Sequence, residues 1–319
     1  MSETITVKAV DRVEILTLQD NIIDMVAQDN SAVVQRAMPL VGLEVKKSIL
    51  AEHGFSSLIT VTVGDTSRSM LFDFGFSEHG AAFNADALGA DLTRVEEMAL
   101  SHGHLDHVGG ISALVEKTGK KDIPLVLHPK AFRNPRFLKI SDEFKIYFPA
   151  FTRSKAAAAG AAVVDTDKPY AMLDHAAAFL GEIPRITDFE QGAPNLFCEI
   201  DGEEQPDPFD DDSAIIFNVR DKGLVVVSGC AHSGIVNTVA HARKISGIQK
   251  VMAIMGGFHL AGLDEEKVVK PTIDALKAFN PTYIIPTHCT GRMAVQRIEK
   301  EMPSSFLLNM SGTRLTFSA

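Results

Sequence analysis

The segment Ser101-His102-Gly103-His104-Leu105-Asp106-His107 places four potential metal ligands within six residues. Imidazole and carboxylate are the groups that zinc and other first-row divalent ions prefer. The chain has 11 His in 319 residues, too few for such a cluster to follow from composition. On a regular helix the four side chains would fan around the axis, because only residues three or four apart share a face. The segment is therefore expected on a turn that folds its ligands inward, with Gly103 giving the backbone its freedom. Residues 97–100 before it read as a short apolar strand. Residues 108–117 read as a helix that starts close by, after Gly109-Gly110.

Working outward, residues 13–18, 58–63 and 70–74 are short, β-branched or aromatic, and bounded by Asp, Asn or Gly, which predicts strands. Residues 28–49 are mixed and have room for a helix. Residues 125–127 make another strand, stopped by His128-Pro129. Beyond residue 213 the rhythm is regular. Strands 214–219 and 224–227 pair around Asp221-Lys222-Gly223, followed by helix 234–245, strand 251–255 and a helix over 265–279 that bends or restarts at Pro271. Strand 283–285 and helix 291–301 close the series. This order predicts an α/β fold of two sheets with helices outside, one domain over residues 1–319.

The interval 130–212 breaks the rhythm with an alanine run at 156–159, scattered prolines and an acidic patch at 207–212. Phe132, Phe137, Phe144, Phe148 and Phe151 offer too much apolar surface for a disordered linker, so a helical cap or insertion is expected. Lys130, Arg133, Arg136, Lys139, Lys145, Arg153 and Lys155 make it basic in an acidic chain. Those charges either grip an anionic small-molecule substrate or keep a Phe-rich insertion soluble.

Composition narrows the classes. A hydrophobic share of 45% and a charged share of 23% suit a packed globular protein. A net charge of −10 argues against a nucleic-acid binder. Cys198, Cys230 and Cys289 are widely spaced and odd in number, which favours a reducing cytoplasm over a disulfide framework. The start lacks signal-peptide character, and no apolar run reaches the ~18 residues of a membrane span, so a cytoplasmic protein with no membrane partner is expected. Neither a Gly-x-x-x-x-Gly-Lys phosphate loop nor a Gly-x-Ser-x-Gly nucleophile is present.

The cluster, read as His-x-His-x-Asp-His after a strand, resembles the metal-binding signature of the metallo-β-lactamase superfamily. Met70-Leu71-Phe72-Asp73-Phe74-Gly75, Ser228-Gly229-Cys230-Ala231-His232 and Pro286-Thr287-His288 sit where that family has its other site segments. The resemblance implies an αββα four-layer sandwich with two divalent ions at one edge, zinc first, with iron or manganese as alternatives. Carried over residue by residue, His102 and His104 serve one metal, and Asp106, His107 and His288 the other. Asp106 also stands as the catalytic carboxylate. The family usually has a separate mid-chain His, but no free-standing Gly-His occurs between Asp106 and Leu224, and Cys230 and His232 lie together instead. His232 is taken as the remaining ligand of the first metal. Cys230 is either a thiolate ligand or a buried small apolar group, and Asp210, Asp211 and Asp212 are a solvated turn or the source of the missing ligand. Asp73 is expected to orient a ligand His.

Ala51-Glu52-His53-Gly54-Phe55-Ser56, Gly229-Cys230-Ala231-His232-Ser233-Gly234, Gly256-Gly257-Phe258-His259-Leu260 and His288-Cys289-Thr290-Gly291 are similar to motifs of one branch of the superfamily. That branch includes an archaeal enzyme joining a dihydropterin to ribofuranosylaminobenzene 5′-phosphate. On this basis His259 and His53 are substrate-binding candidates, each with a scaffold role as its alternative. His79, His128, His175 and His241 are read as scaffold or surface. The implied function is a hydrolase whose metal-activated water attacks a phosphorylated or ester-type small molecule. A transferase joining a dihydropterin diphosphate to an aryl amine, and a catalytically silent metal-binding sensor, are the alternatives.

Overall fold

A computed structural model describes residues 4–319 except 39, 42 and 46. Two mixed sheets lie face to face. The first runs in the order Ala161–Asp165, Ile123–Leu127, Val95–Ala99, Thr66–Phe74, Ser56–Val63, Arg12–Gln19, Arg314–Ser318, Val34–Gln35. The second runs Tyr170–Met172, Ala177–Phe179, Ala214–Val219, Gly223–Ser228, Val251–Gly257, Tyr283–Thr287, with Ala9–Val10 beside Ala214–Val219. In each sheet antiparallel hairpins adjoin parallel strands whose crossovers carry helices.

The period-2 alternation of side chains explains the layers. Ile215, Phe217, Val225 and Val227 point between the sheets and meet Phe72, Ile15, Val61 and Phe317 of the first sheet. Their neighbours Ala214, Ile216, Leu224 and Val226 point outward to helices Ile235–Ser246, Lys270–Ala278 and Arg292–Glu301. On the opposite outer face Leu71, Met98, Leu125 and Leu127 receive helices Gly80–Ala87 and Ile111–Thr118. The result is the expected four-layer αββα sandwich. Each buried Phe or Leu of these clusters contributes about 1.5–3 kcal/mol relative to exposure.

Two expectations change. No helix forms over residues 28–49 among those described. Val34–Gln35 joins the first sheet's edge, and Leu40–Val41 pairs with Glu44–Val45 while Leu43 and Val45 stay exposed, so no apolar stripe exists to bury a helix.

The regular structure of the interval 130–212 is predominantly strand joined by loops, in place of the expected helical cap. Only the alanine-rich stretch Arg153–Ala158 forms an α-helix there. The β-branched Ala161–Asp165 extends the first sheet, and Tyr170–Met172 with Ala177–Phe179 extends the second. What stands over the site is a four-stranded antiparallel sheet of Lys145–Tyr147, Arg136–Lys139, Leu196–Ile200 and Glu203–Pro206. Its aromatic residues stack across strands, with Phe137 and Phe197 centroids 6.1 Å apart, a pairing that a helix would not give.

As expected, the helix after residue 264 restarts near Pro271, with a wide turn Glu265–Val269 running into Lys270–Ala278. Among the described residues no helix is long and apolar enough to cross a membrane.

Candidate metal centre

Strand Val95–Ala99 delivers the His cluster to the end of the first sheet, and the one-turn helix Leu105–Val108 starts directly after His104. The cluster is folded tightly. A Cβ on Gly103 would lie 1.9 Å from the carbonyl oxygen of Ala131, and one on Gly109 1.6 Å from that of Phe76. From the second sheet, the turn after Gly223–Ser228 supplies Cys230 and His232, with Ala231 between them at φ 51°. Strand Tyr283–Thr287 supplies His288 at φ 46°.

These segments bring the ligand atoms into two groups. One is His102, His104 and His232; the other is Asp106, His107, Cys230 and His288; within each group the atoms lie within 4.8 Å of one another. The groups adjoin, with the rings of His102 and His107 4.3 Å apart. All six residues expected as ligands therefore converge. Cys230, left open between ligand and apolar filler, stands in the second group.

Hydrogen bonds fix which nitrogen faces inward. Asp73, at φ 58° near the end of the strand Thr66–Phe74, accepts from Ser101 N and Ser101 Oγ at 2.7 Å each, and its Oδ2 lies 2.6 Å from His107 Nδ1. Since the Ser101 hydroxyl donates to Asp73, its lone pair accepts from His102 Nδ1, 2.9 Å away. His288 Nδ1 donates to Asn21 Oδ1 at 3.0 Å, and Asp20 Oδ1 holds the His288 amide at 3.0 Å. Each partner accepts from Nδ1–H, which favours the tautomer that turns an unprotonated Nε2 toward its group. Asp73 thus has the orienting role expected of it. Asp20 and Asn21 were not singled out in the sequence, where nothing marks a strand-end Asp-Asn as special.

The donor set fits divalent metals. Buried His102 Nε2 and His288 Nε2, the nitrogens turned toward the two groups, have no hydrogen-bond partner, which a folded protein rarely tolerates without a ligand. His232 Nε2 lies 3.2 Å from His104 Nδ1, His107 Nε2 3.2 Å from Cys230 Sγ, and His288 Nε2 3.1 Å from Asp106 Oδ2. Tetrahedral bonds of about 2.0–2.3 Å place neighbouring donors roughly 3.3–3.6 Å apart, close to those separations. Burial holds His102, His104 and His232 well below the ordinary histidine range and His288 at about 4, so all four are neutral near pH 7. Burial pushes His107 the same way, but Asp73 and Asp106 outweigh it and raise that ring. Asp106 is likewise pushed up by burial, yet His107 and His288 draw it well below the carboxylate range.

Both groups open into a cleft of about 390 Å³. His53 and His259 line it, outside either ligand group. His53 Nε2 lies 3.4 Å from Asp106 Oδ2, with 60% of its side chain exposed, and His259 lies beside His232 with centroids 4.3 Å apart. The cap sheet and its flanks add Phe148 and Leu196 to the lining, and Phe209 stacks on His232 at 4.3 Å and 8°.

The acidic turn departs from expectation. Asp211 and Asp212 are buried, and neither falls in a ligand group. Asp211 Oδ2 accepts from the Gly103 amide at 2.9 Å and its Oδ1 pairs with Arg136 at 2.6 Å, while Asp212 Oδ2 accepts from the Ser233 amide at 2.8 Å. The pair thus pins both backbone segments that carry the three histidines of the first group. The basic interval is neutralised from within. Arg136 meets Asp207 and Asp211, Arg133 meets Asp207 and Asp210, Lys139 meets Asp142, Lys145 meets Glu204, and Arg153 meets Asp165. An anion grip by Arg133 and Arg136 is therefore withdrawn, because their charges are already matched beneath the cap.

Residues 51–240 match the family described as the metallo-beta-lactamase superfamily. The chain is 31% identical over 264 residues to the 7,8-dihydropterin-6-methyl-4-(β-D-ribofuranosyl)-aminobenzene-5′-phosphate synthase of Methanocaldococcus jannaschii, covering 80% of this chain and 87% of that protein. It is 29% identical over 261 residues to an uncharacterized protein of the same organism, covering 80% and 90%. Among solved structures it is similar to Tm1679, described as a metal-dependent hydrolase of the β-lactamase superfamily, with a TM-score of 0.73, 22% identity, and 96% and 100% of the two chains covered. A diphosphatase of the PhnP family gives 0.51 at 12% identity over 96% and 98%. At these identities the two structures speak for the fold alone.

Proposed function

The chain belongs to the metallo-β-lactamase superfamily, and from that premise we propose that it is a two-metal enzyme transferring a heterocyclic group from a phosphate or diphosphate to an amine. The observation that carries the reading is the pair of adjoining ligand groups opening into one cleft that also holds two non-ligand imidazoles. His102, His104 and His232 would hold one ion, and Asp106, His107, Cys230 and His288 the other. Ions held there supply Lewis-acid stabilisation of charge on the departing phosphate oxygens. The mixed nitrogen, oxygen and thiolate set suits zinc, and a free Cys230 thiol suits a reducing cytoplasm.

In the transfer the C–O bond to the leaving phosphate breaks, a C–N bond forms, and the amine loses one proton. His259, inside the cleft, is placed to accept it. His53, half in solvent beside Asp106, is placed to pass protons outward. Support for an amine acceptor comes from the synthase that is 31% identical over most of both chains. Water is the second reading of the nucleophile, favoured by the exposure of His53 at the cleft mouth.

The test is to incubate zinc-loaded protein with a dihydropterin-methyl diphosphate, with and without an aryl-amine ribose phosphate. Diphosphate release that requires the amine, with a coupled product by mass spectrometry, is expected. Equal release without amine would make the enzyme a hydrolase. No release from fully loaded protein, on these or on phosphodiester substrates, would leave a silent metal-binding sensor.

A further inference from the structure

Next to the metal cleft lies a second chamber of about 390 Å³, and the two share His232 and His259 as walls. Its sides are apolar: Phe258 and Leu260 are buried, and Phe189 and Leu263 are half-buried. Its rim is polar, with the exposed side chains of Asp188, Gln191 and Lys267. Among the described residues neither Asp188 nor Lys267 has a side-chain partner.

The floor is built to stay open. Glu190 accepts from the Val236 and Asn237 amides at 2.9 and 3.0 Å and from Thr187 Oγ1 at 3.1 Å, tying the 188–192 loop to the start of helix Ile235–Ser246. A Cβ on Gly234 would come within 2.2 Å of that carboxyl group, so the loop and the helix meet there in close contact. Preformed cavities of this size, apolar inside with a few polar groups at the edge, are the usual form of small-ligand sites.

We propose that this chamber binds the flat nitrogen-heterocyclic ring of the substrate. The ring faces pack against Phe258, Leu260 and Leu263. Its hydrogen-bonding edge meets Asp188, Gln191 and Lys267, and its reactive end passes His259 into the metal cleft. An all-carbon ring would leave the rim charges without use, and a sugar would leave the apolar walls wet. The chemistry therefore selects a ring with apolar faces and polar edges. The assignment rests on the transfer reading for which end of the substrate reacts.

The chain has no Trp, so Leu263→Trp places a single indole reporter at the chamber. Three probes are titrated into the zinc-loaded variant: pterin-6-carboxylate, naphthalene-2-carboxylate of like size and charge, and inorganic diphosphate. The pterin is expected to quench the indole saturably, with half-saturation at least tenfold below that of the naphthalene, and diphosphate is expected to leave emission unchanged. No pterin response, equal half-saturation for naphthalene, or an equal response to diphosphate would each overturn the proposal. In a second variant, Leu263→Asp, anisotropy of the pterin probe should show at least tenfold weaker binding with zinc content unchanged; undiminished binding would also overturn it. Transfer activity without any indole response would remove this chamber and leave the proposed reaction standing. Indole quenching without turnover would do the reverse.

Discussion

A histidine must be neutral to bind a metal, and a thiol must lose its proton, so the two ligand groups differ in their response to pH. His102, His104 and His232 are held neutral by burial, which means that loading them displaces no protons near neutrality. Cys230 is pushed well above the ordinary thiol range by burial, and His107 is raised by Asp73 and Asp106 despite its own burial. The second group must therefore release at least one proton. Between pH 8 and 6 zinc affinity of the first group should stay nearly flat, while that of the second should fall about tenfold or more per unit as pH drops. Chelator competition across that range measures both, and equal slopes would contradict the assignment. Cobalt-loaded protein should likewise show a thiolate charge-transfer band that Cys230→Ser abolishes and His232→Ala retains. The adjacency of Cys230 and His232 was visible in the sequence. That Ala231 at φ 51° turns them into different groups was not, because it depends on backbone conformation.

At the scale of elements, the loop 101–104 is held by what crosses it rather than by its own propensities. Gly103 passes under Ala131, and its amide is held by Asp211, whose charge is balanced by buried Arg136 of the cap sheet. Gly103→Ala should weaken metal binding in the first group by at least tenfold, with the second less affected, as read by metal analysis after dialysis. Arg136→Ala leaves Asp207 and Asp211 as buried carboxylates short of their cation, a change worth about 3–5 kcal/mol of stability. Its melting temperature should drop clearly, and its first-group affinity should drop with it. A variant with full stability but a raised KM would restore Arg136 to substrate binding.

For the whole molecule, the two ligand groups draw on both sheets. His102, His104, Asp106 and His107 come from the end of the first, and Cys230, His232 and His288 from the second. Ions at a hundredfold excess over Kd stabilise the native state by about 2.7 kcal/mol per site. Two sites should therefore raise Tm by on the order of 10 °C over metal-free protein. Calorimetry with and without zinc tests this, and an unchanged Tm would mean that the groups are not a metal centre in solution.

The sequence by itself determined the sandwich and most of its site, for a local reason. The period-2 strands around 13–18, 58–63, 70–74 and 214–227 and the compressed ligand set 102–107 are properties of neighbouring residues, legible without knowing the fold. The tertiary structure alone decided the interval 130–212. Its alanines favour helix and its phenylalanines strand, so propensity along the interval is divided, and sheet edges left open elsewhere in the molecule recruited three of its strands. Charge followed the same rule. Arg133, Arg136, Asp207 and Asp211 look solvated when read along the chain, and they lie buried against each other because the cap folds some 75 residues back onto itself.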